Sequence, residues 1–138
     1  MSPSDRHAQA DQAGGYTDEH ARSGLETPLP TLDTFPNQFP GYTIRIDHPE
    51  FTSICPKTGL PDFGTVVIEY EPDARCLELK ALKLYLFGYR NLGIFQENAV
   101  NRILRDVVDA AHPVWCEVQG SFASRGGLST TITARHER

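Results

Sequence analysis

The sequence predicts an α+β domain of order ββααββ, an antiparallel sheet with both helices on one face. Three observations carry that expectation. The hydrophobic period is two in residues 42–47 and 65–70, becomes three and four between 75 and 111, and returns to two from 114 onward. Turn-forming residues separate the strand-like runs, with two prolines and a glycine in 55–62 and Arg125-Gly126-Gly127 near the end, as in hairpins. At 138 residues the chain can build one sizeable core but not two.

Taken in order, residues 1–37 are rich in Ser, Gly, Asp, Pro, Gln and Thr and poor in large apolar side chains. Such a segment buries too little surface to offset its ordering entropy, which predicts a flexible tail and a folded domain over 38–138. Tyr42, Ile44 and Ile46 alternate with polar neighbours as in a half-buried strand. Val66, Ile68 and Tyr70 form a second, closed by Glu71-Pro72-Asp73. A helix is expected over 75–89, with Leu79, Leu82, Leu86 and Tyr89 on its apolar face and Gly93 capping its end. Val100, Ile103, Leu104, Val107, Val108 and Ala111 mark a second helix, ended by Pro113. Val114, Cys116, Val118 and Phe122, then Leu128, Thr130, Ile132 and Ala134, complete the strand pattern. A four-stranded sheet with two open edges favours pairing between subunits.

Bulk properties narrow the function. Hydrophobic residues at 39% and charged residues at 22% describe a soluble globular chain. A net charge of −5 argues against direct nucleic-acid binding, which needs a basic field. No apolar run approaches the ~20 residues of a membrane helix, and the start of the chain lacks a signal-peptide pattern. With three widely spaced cysteines, the expected location is a reducing cytoplasm. The five histidines and three cysteines show no paired ligand spacing, so no metal is expected. No glycine-rich fingerprint follows a strand, which excludes a Rossmann domain as the holder of any nucleotide.

The chemistry-bearing stretch is Cys55-Pro56-Lys57-Thr58-Gly59-Leu60-Pro61-Asp62. A stiff turn can hold its thiol and carboxylate toward one space, and a thiol acts as nucleophile only as thiolate. The same two residues also suit a small hydrophobe and a turn former. Lys80 and Lys83, three apart on a helix, suit a phosphate-bearing ligand or a solvated face. Arg125 beside Gly126 and Gly127 suits a phosphate or a plain hairpin turn. Glu97 either stabilises a helix start or accepts two N–H donors from a heterocycle edge. Cys76 and Cys116 fall on helix and strand patterns, respectively, and are expected to pack.

Cys55…Asp62, then Glu78-Leu79-Lys80-Ala81-Leu82-Lys83-Leu84-Tyr85, Arg90-Asn91, Glu97 and Arg125-Gly126-Gly127 together resemble the QueF family. The resemblance covers about 39–132 and is to the short, single-module form. It implies NADPH-dependent reduction of the nitrile of 7-cyano-7-deazaguanine to an aminomethyl group, in queuosine biosynthesis for tRNA modification. The implied fold is the tunnelling fold (T-fold), whose ββααββ subunits join edge to edge into rings that stack, here a decamer of two pentamers. The implied roles are Cys55 as nucleophile and Asp62 as proton donor. Leu77, Glu78, Leu79, Gln96 and Glu97 bind substrate, and Lys80, Lys83 and Arg125 face NADPH, consumed twice per turnover, with no metal.

Two departures from the family pattern stand out. Gln96 replaces a histidine found in some members, and Ala99 replaces a cysteine able to pair with the nucleophile. The alternatives are a GTP cyclohydrolase-like T-fold enzyme on a purine or pterin, disfavoured by the missing zinc ligands, and a non-catalytic purine-binding T-fold protein.

Overall fold

The computed structural model describes residues 15–138, apart from the side chains of Ser124 and Arg125. Four long strands form one antiparallel sheet in the order β2-β3-β5-β6: β2 (Ile44–Ile54), β3 (Pro61–Glu71), β5 (Trp115–Arg125) and β6 (Leu128–Glu137). Before and between them come α1 (Asp18–Arg22), β1 (Thr34–Pro36), β4 (Arg75–Leu77), α2 (Leu79–Phe87), a 3-10 turn (Gly88–Asn91) and α3 (Gln96–Ala111). The ββααββ order therefore holds. The core lies between the helices and the inner sheet face, centred on Tyr70, Tyr85, Tyr89, Phe51, Ile68 and Ile103.

The helix α3 follows its apolar stripe closely: Val100, Ile103, Val107 and Ala111 are buried, and Leu104 and Val108 pack at the margin. His112 caps it in the left-handed conformation, with Pro113 next. Gly120 on β5 lets α3 sit against the sheet, since a Cβ there would meet Val100 Cγ2 at 2.6 Å. The β5–β6 turn at Gly126 and Gly127 has positive φ at both residues, as a tight hairpin requires.

Three expectations change. Residues 75–77 are a strand, not the start of a helix: Leu77, Cys76 and Arg75 pair with Thr34, Phe35 and Pro36, and the Leu77 N–H donates to the Tyr70 hydroxyl at 2.9 Å. The helix begins after Glu78, whose carboxylate accepts from the N–H groups of Lys80 and Ala81, and Leu79 is 63% exposed rather than on the buried face. It ends at Gly88, not Gly93, because the 3-10 turn intervenes and Gly93 bridges to Ile54.

The expected tail is the third. Its residues 1–14 lie outside the described residues, but 15–37 are packed on the domain. Thr17 caps α1, the Asn98 side chain donates to Ala21 O, and the Ser23 hydroxyl donates to Gly93 O at 2.6 Å. The buried Arg102 donates to Gly24 O and Thr27 O while pairing with Asp106. Asp106 also accepts from Tyr85, whose hydroxyl meets that of Tyr89 at 2.8 Å. Composition missed this segment because what orders it is a handful of hydrogen bonds from α3 and the packing of only three leucines, Leu25, Leu29 and Leu32, against the core.

Candidate active site

The β2–β3 hairpin builds the site. The register slips between His48 and Phe51, so Pro49 and Glu50 hold one extra residue in a bulge. Before the bulge Ile44, Ile46 and His48 face inward; after it Phe51, Ser53 and Cys55 do. Without the extra residue the side-chain parity would put Cys55 on the outer face. The bulge therefore aims the thiol.

The turn itself is short. Cys55 N–H donates to Leu60 O and Gly59 N–H donates to Cys55 O, both at 2.9 Å, with Gly59 in the left-handed region. Asp62 lies not in this loop but on β3, opposite Ser53, and faces inward. Cys55 and Asp62 are each 8% exposed.

Burial pushes the Cys55 thiol up, but hydrogen bonds from the Thr58 hydroxyl and from the Thr58 and Lys57 N–H groups outweigh it, against a smaller opposing effect of the Asp62 charge. The net result lies below the ordinary thiol value. Thr58 Oγ1 in turn accepts from the Leu60 N–H at 3.2 Å, which orients the hydroxyl. Cys116 shows the contrast: buried under β5 without such donors, its thiol is pushed up to about 12 by burial, with a smaller contribution from Glu117. Only Cys55 has the electrostatics of a nucleophile among these two.

A parallel bridge joins Ile54 to the segment before α3, with Ile54 N–H donating to Leu92 O and Ile94 N–H to Ile54 O, both at 2.9 Å. The chain leaving this bridge runs through Cys55 on one side and Ile94 and Phe95 on the other, and half-buried Gln96 and exposed Glu97 follow on the first turn of α3. Tyr16 closes the same corner: its ring meets Phe95 edge-on at 5.2 Å, the Lys57 ammonium lies 5.5 Å from its centroid, and Lys57 donates to Gly15 O. Sequence reasoning missed Tyr16 because it sits in the segment expected as a tail. Position 99, an alanine, is buried in the core and carries no thiol.

The remaining expected residues lie elsewhere. Leu77 is buried, with its side chain in the core. Glu78 caps α2, and those backbone N–H groups hold its carboxyl below the usual range. Lys80 and Lys83 stand exposed on α2, the latter with its ammonium 5.7 Å from the Phe87 ring centroid. Arg125 ends β5, with its side chain outside the described part. Leu77 is tied to Tyr70, eight residues along β3 from Asp62, or about 26 Å at roughly 3.3 Å per residue. One chain therefore presents two separate groups of candidate residues.

The fold defines the class first. The crystal structure of an archaeosine synthase QueF-Like in the apo form superposes with a TM-score of 0.63 at 24% identity, covering 67% of this chain and 91% of that one. That likeness is one of fold, and it makes this chain a tunnelling-fold protein. The family follows from the sequence: residues 61–138 match the model of the QueF-like protein family, and the chain belongs to it. Among its relatives is the NADPH-dependent 7-cyano-7-deazaguanine reductase of Elusimicrobium minutum, 54% identical over 125 residues, which are 90% of this chain and 95% of the relative. The protein of the same name from Chloroherpeton thalassium is 53% identical over 108 residues, 77% of this chain and 93% of the relative.

Proposed function

We propose that this chain is an NADPH-dependent 7-cyano-7-deazaguanine reductase, converting the nitrile to the 7-aminomethyl group. Relatives of that name support the reaction. The structural observation that carries the mechanism is Cys55, a buried thiol drawn toward thiolate by three hydrogen-bond donors of its own turn. A nitrile carbon is a poor hydride acceptor, and thiolate addition converts it to a thioimide, a better one. As the C–S bond forms, the displaced electron pair goes to nitrogen, which takes the proton of Asp62. Glu97, exposed on α3 beside the thiol turn, anchors the N–H donors of the base, with Gln96 as a neutral hydrogen-bonding neighbour.

Lys80 and Lys83 form an exposed pair of cations suited to the phosphates of NADPH, with Arg125 a further candidate. What NADPH supplies when bound is hydride, needed twice because a nitrile lies two reductions above an amine. After the first reduction Cys55 leaves, giving an imine that a closed site protects from water. No residue of this chain calls for a metal in that scheme.

Asp62 and Tyr70, the residue to which Leu77 is tied, lie roughly 26 Å apart along β3, farther than a bicyclic base spans. We therefore assign the complete site to an interface, where one subunit brings Cys55, Asp62 and Glu97 and another brings residues 77–83. The open edges β2 and β6 offer the route to a ring, and a decamer of two stacked pentamers is the expected assembly. Three free thiols fit a reducing cytoplasm, and among the described residues no helix is long and apolar enough to cross a membrane.

The direct test follows NADPH absorbance after adding the nitrile, together with the protein's mass when the nitrile is added without NADPH. Turnover and a gain of one substrate mass, both lost in Cys55→Ala, are expected. Turnover by Cys55→Ala would sink the covalent route, and no turnover by the wild type would sink the reaction itself.

A further inference from the structure

Ser53 lies on β2 two residues before Cys55 and directly across the ladder from Asp62. Phe51, Ser53 and Cys55 alternate inward on one strand, as Asp62, Val66, Ile68 and Tyr70 do on the other, so Ser53 shares the inner face with both candidate groups. It is 0% exposed, and its hydroxyl has no hydrogen-bond partner among the described residues. An unpaired buried hydroxyl destabilises a fold that alanine, nearly the same shape, would leave intact. A hydroxyl in that position therefore calls for an explanation beyond packing.

We propose that Ser53 is a positioning residue for Asp62, taking up its hydrogen bond as the carboxyl changes protonation during thioimide formation. Side chains directly opposite on antiparallel strands have Cβ atoms about 4.5–5.5 Å apart, so rotation about one Ser53 torsion brings its oxygen to the carboxyl. A serine hydroxyl is both donor and acceptor. It accepts from the protonated carboxyl beforehand, and donates to the carboxylate once the proton has passed to the substrate nitrogen. Ser53 keeps its own proton throughout; the only proton transferred is that of Asp62. Full burial keeps Ser53 from touching the substrate, which separates its role from those of Cys55 and Asp62.

The inference rests on Asp62 being the proton donor, and the experiment keeps the two apart. Ser53→Ala, Asp62→Asn and the double variant are compared for kcat, KM and melting temperature. Ser53→Ala is expected to lower kcat by about tenfold to a hundredfold, the factor for one hydrogen bond to a charged group. KM for both substrates should stay unchanged, and the melting temperature should hold or rise. In the Asp62→Asn background the same substitution should add nothing. Wild-type kcat in Ser53→Ala with an inactive Asp62→Asn overturns the role of Ser53 alone. Wild-type kcat in Asp62→Asn overturns the proton-donor reading and this inference with it. Independent losses in the double variant, or a lowered melting temperature accompanying the loss of kcat, also overturn it.

Discussion

The two ends of the β2–β3 hairpin differ in kind. At the turn, Cys55, Asp62 and Ser53 are buried, with Cys55 and Ser53 aimed by the β2 bulge and the strand tied through Ile54 to the segment before α3. Away from the turn, Leu79, Lys80 and Lys83 stand exposed on α2, a helix held by its Glu78 cap and by the buried Ala81, Leu82, Tyr85 and Leu86. The first end is preorganised inside one chain, as bond-making requires, because a misplaced nucleophile loses rate steeply. The second is a surface, as binding by a neighbour requires. Under the proposed function, the comparison assigns the reacting groups to one chain and the completion of recognition to assembly.

The largest expected effect breaks the comparison outright. Lys80→Glu with Lys83→Glu should abolish turnover, as should Cys55→Ala, yet mixing the two inactive proteins under conditions that exchange subunits should restore part of the rate. Hybrids that form and stay inactive, or a monomer fully active by sedimentation under assay conditions, would return both groups to one chain.

Glu97→Gln comes next. It sets a donor against the N–H donors of the base and should weaken nitrile affinity by roughly 2–5 kcal/mol, the range for breaking one partner of a buried charged pair. Calorimetry should find NADPH binding unchanged. A role limited to the helix dipole would instead lower stability by about 0.3–1 kcal/mol and spare affinity.

Thr58→Val sharpens the preorganised end. The folded thiol of Cys55 titrates below its ordinary value, so thiolate persists to lower pH than in a free thiol. Losing the Thr58 hydroxyl moves that midpoint upward, so alkylation at neutral pH should slow, by about tenfold for one charge-assisted hydrogen bond. Iodoacetamide rates from acid to alkaline pH measure it, and an unmoved midpoint would remove Thr58 from the thiol. The smallest effect is that of Tyr16→Ala. Losing its contact with Phe95 removes about 0.5–1.5 kcal/mol of aromatic packing, which should raise KM for the nitrile and leave kcat alone.

Much of this was legible before any coordinates. The stripe on α3 and the alternation on β3 and β5 match their buried faces residue by residue, since burial on one face imposes its period on the sequence. Leu79 misled because it fits the spacing of Leu82 and Leu86 yet lies on the first turn, outside the packed stretch of α2. Residues 75–77 misled because their partner strand, Thr34–Pro36, sits in a stretch whose composition suggests disorder. Pro49 inside a strand pattern was the one local signal that a bulge lay there.

The sequence by itself determined the order of elements, the core faces of the long helix and the central strands, and the residue types available for a thiol addition. Those follow from local period and local chemistry. Only the tertiary structure decided which way Cys55 and Ser53 point, that residues 15–37 wrap the domain beside the thiol turn, and that the candidate residues split between two distant ends. Bulge parity, strap anchoring and strand separation are each set by pairings between residues far apart in the chain, and such pairings leave almost no periodic trace in either partner.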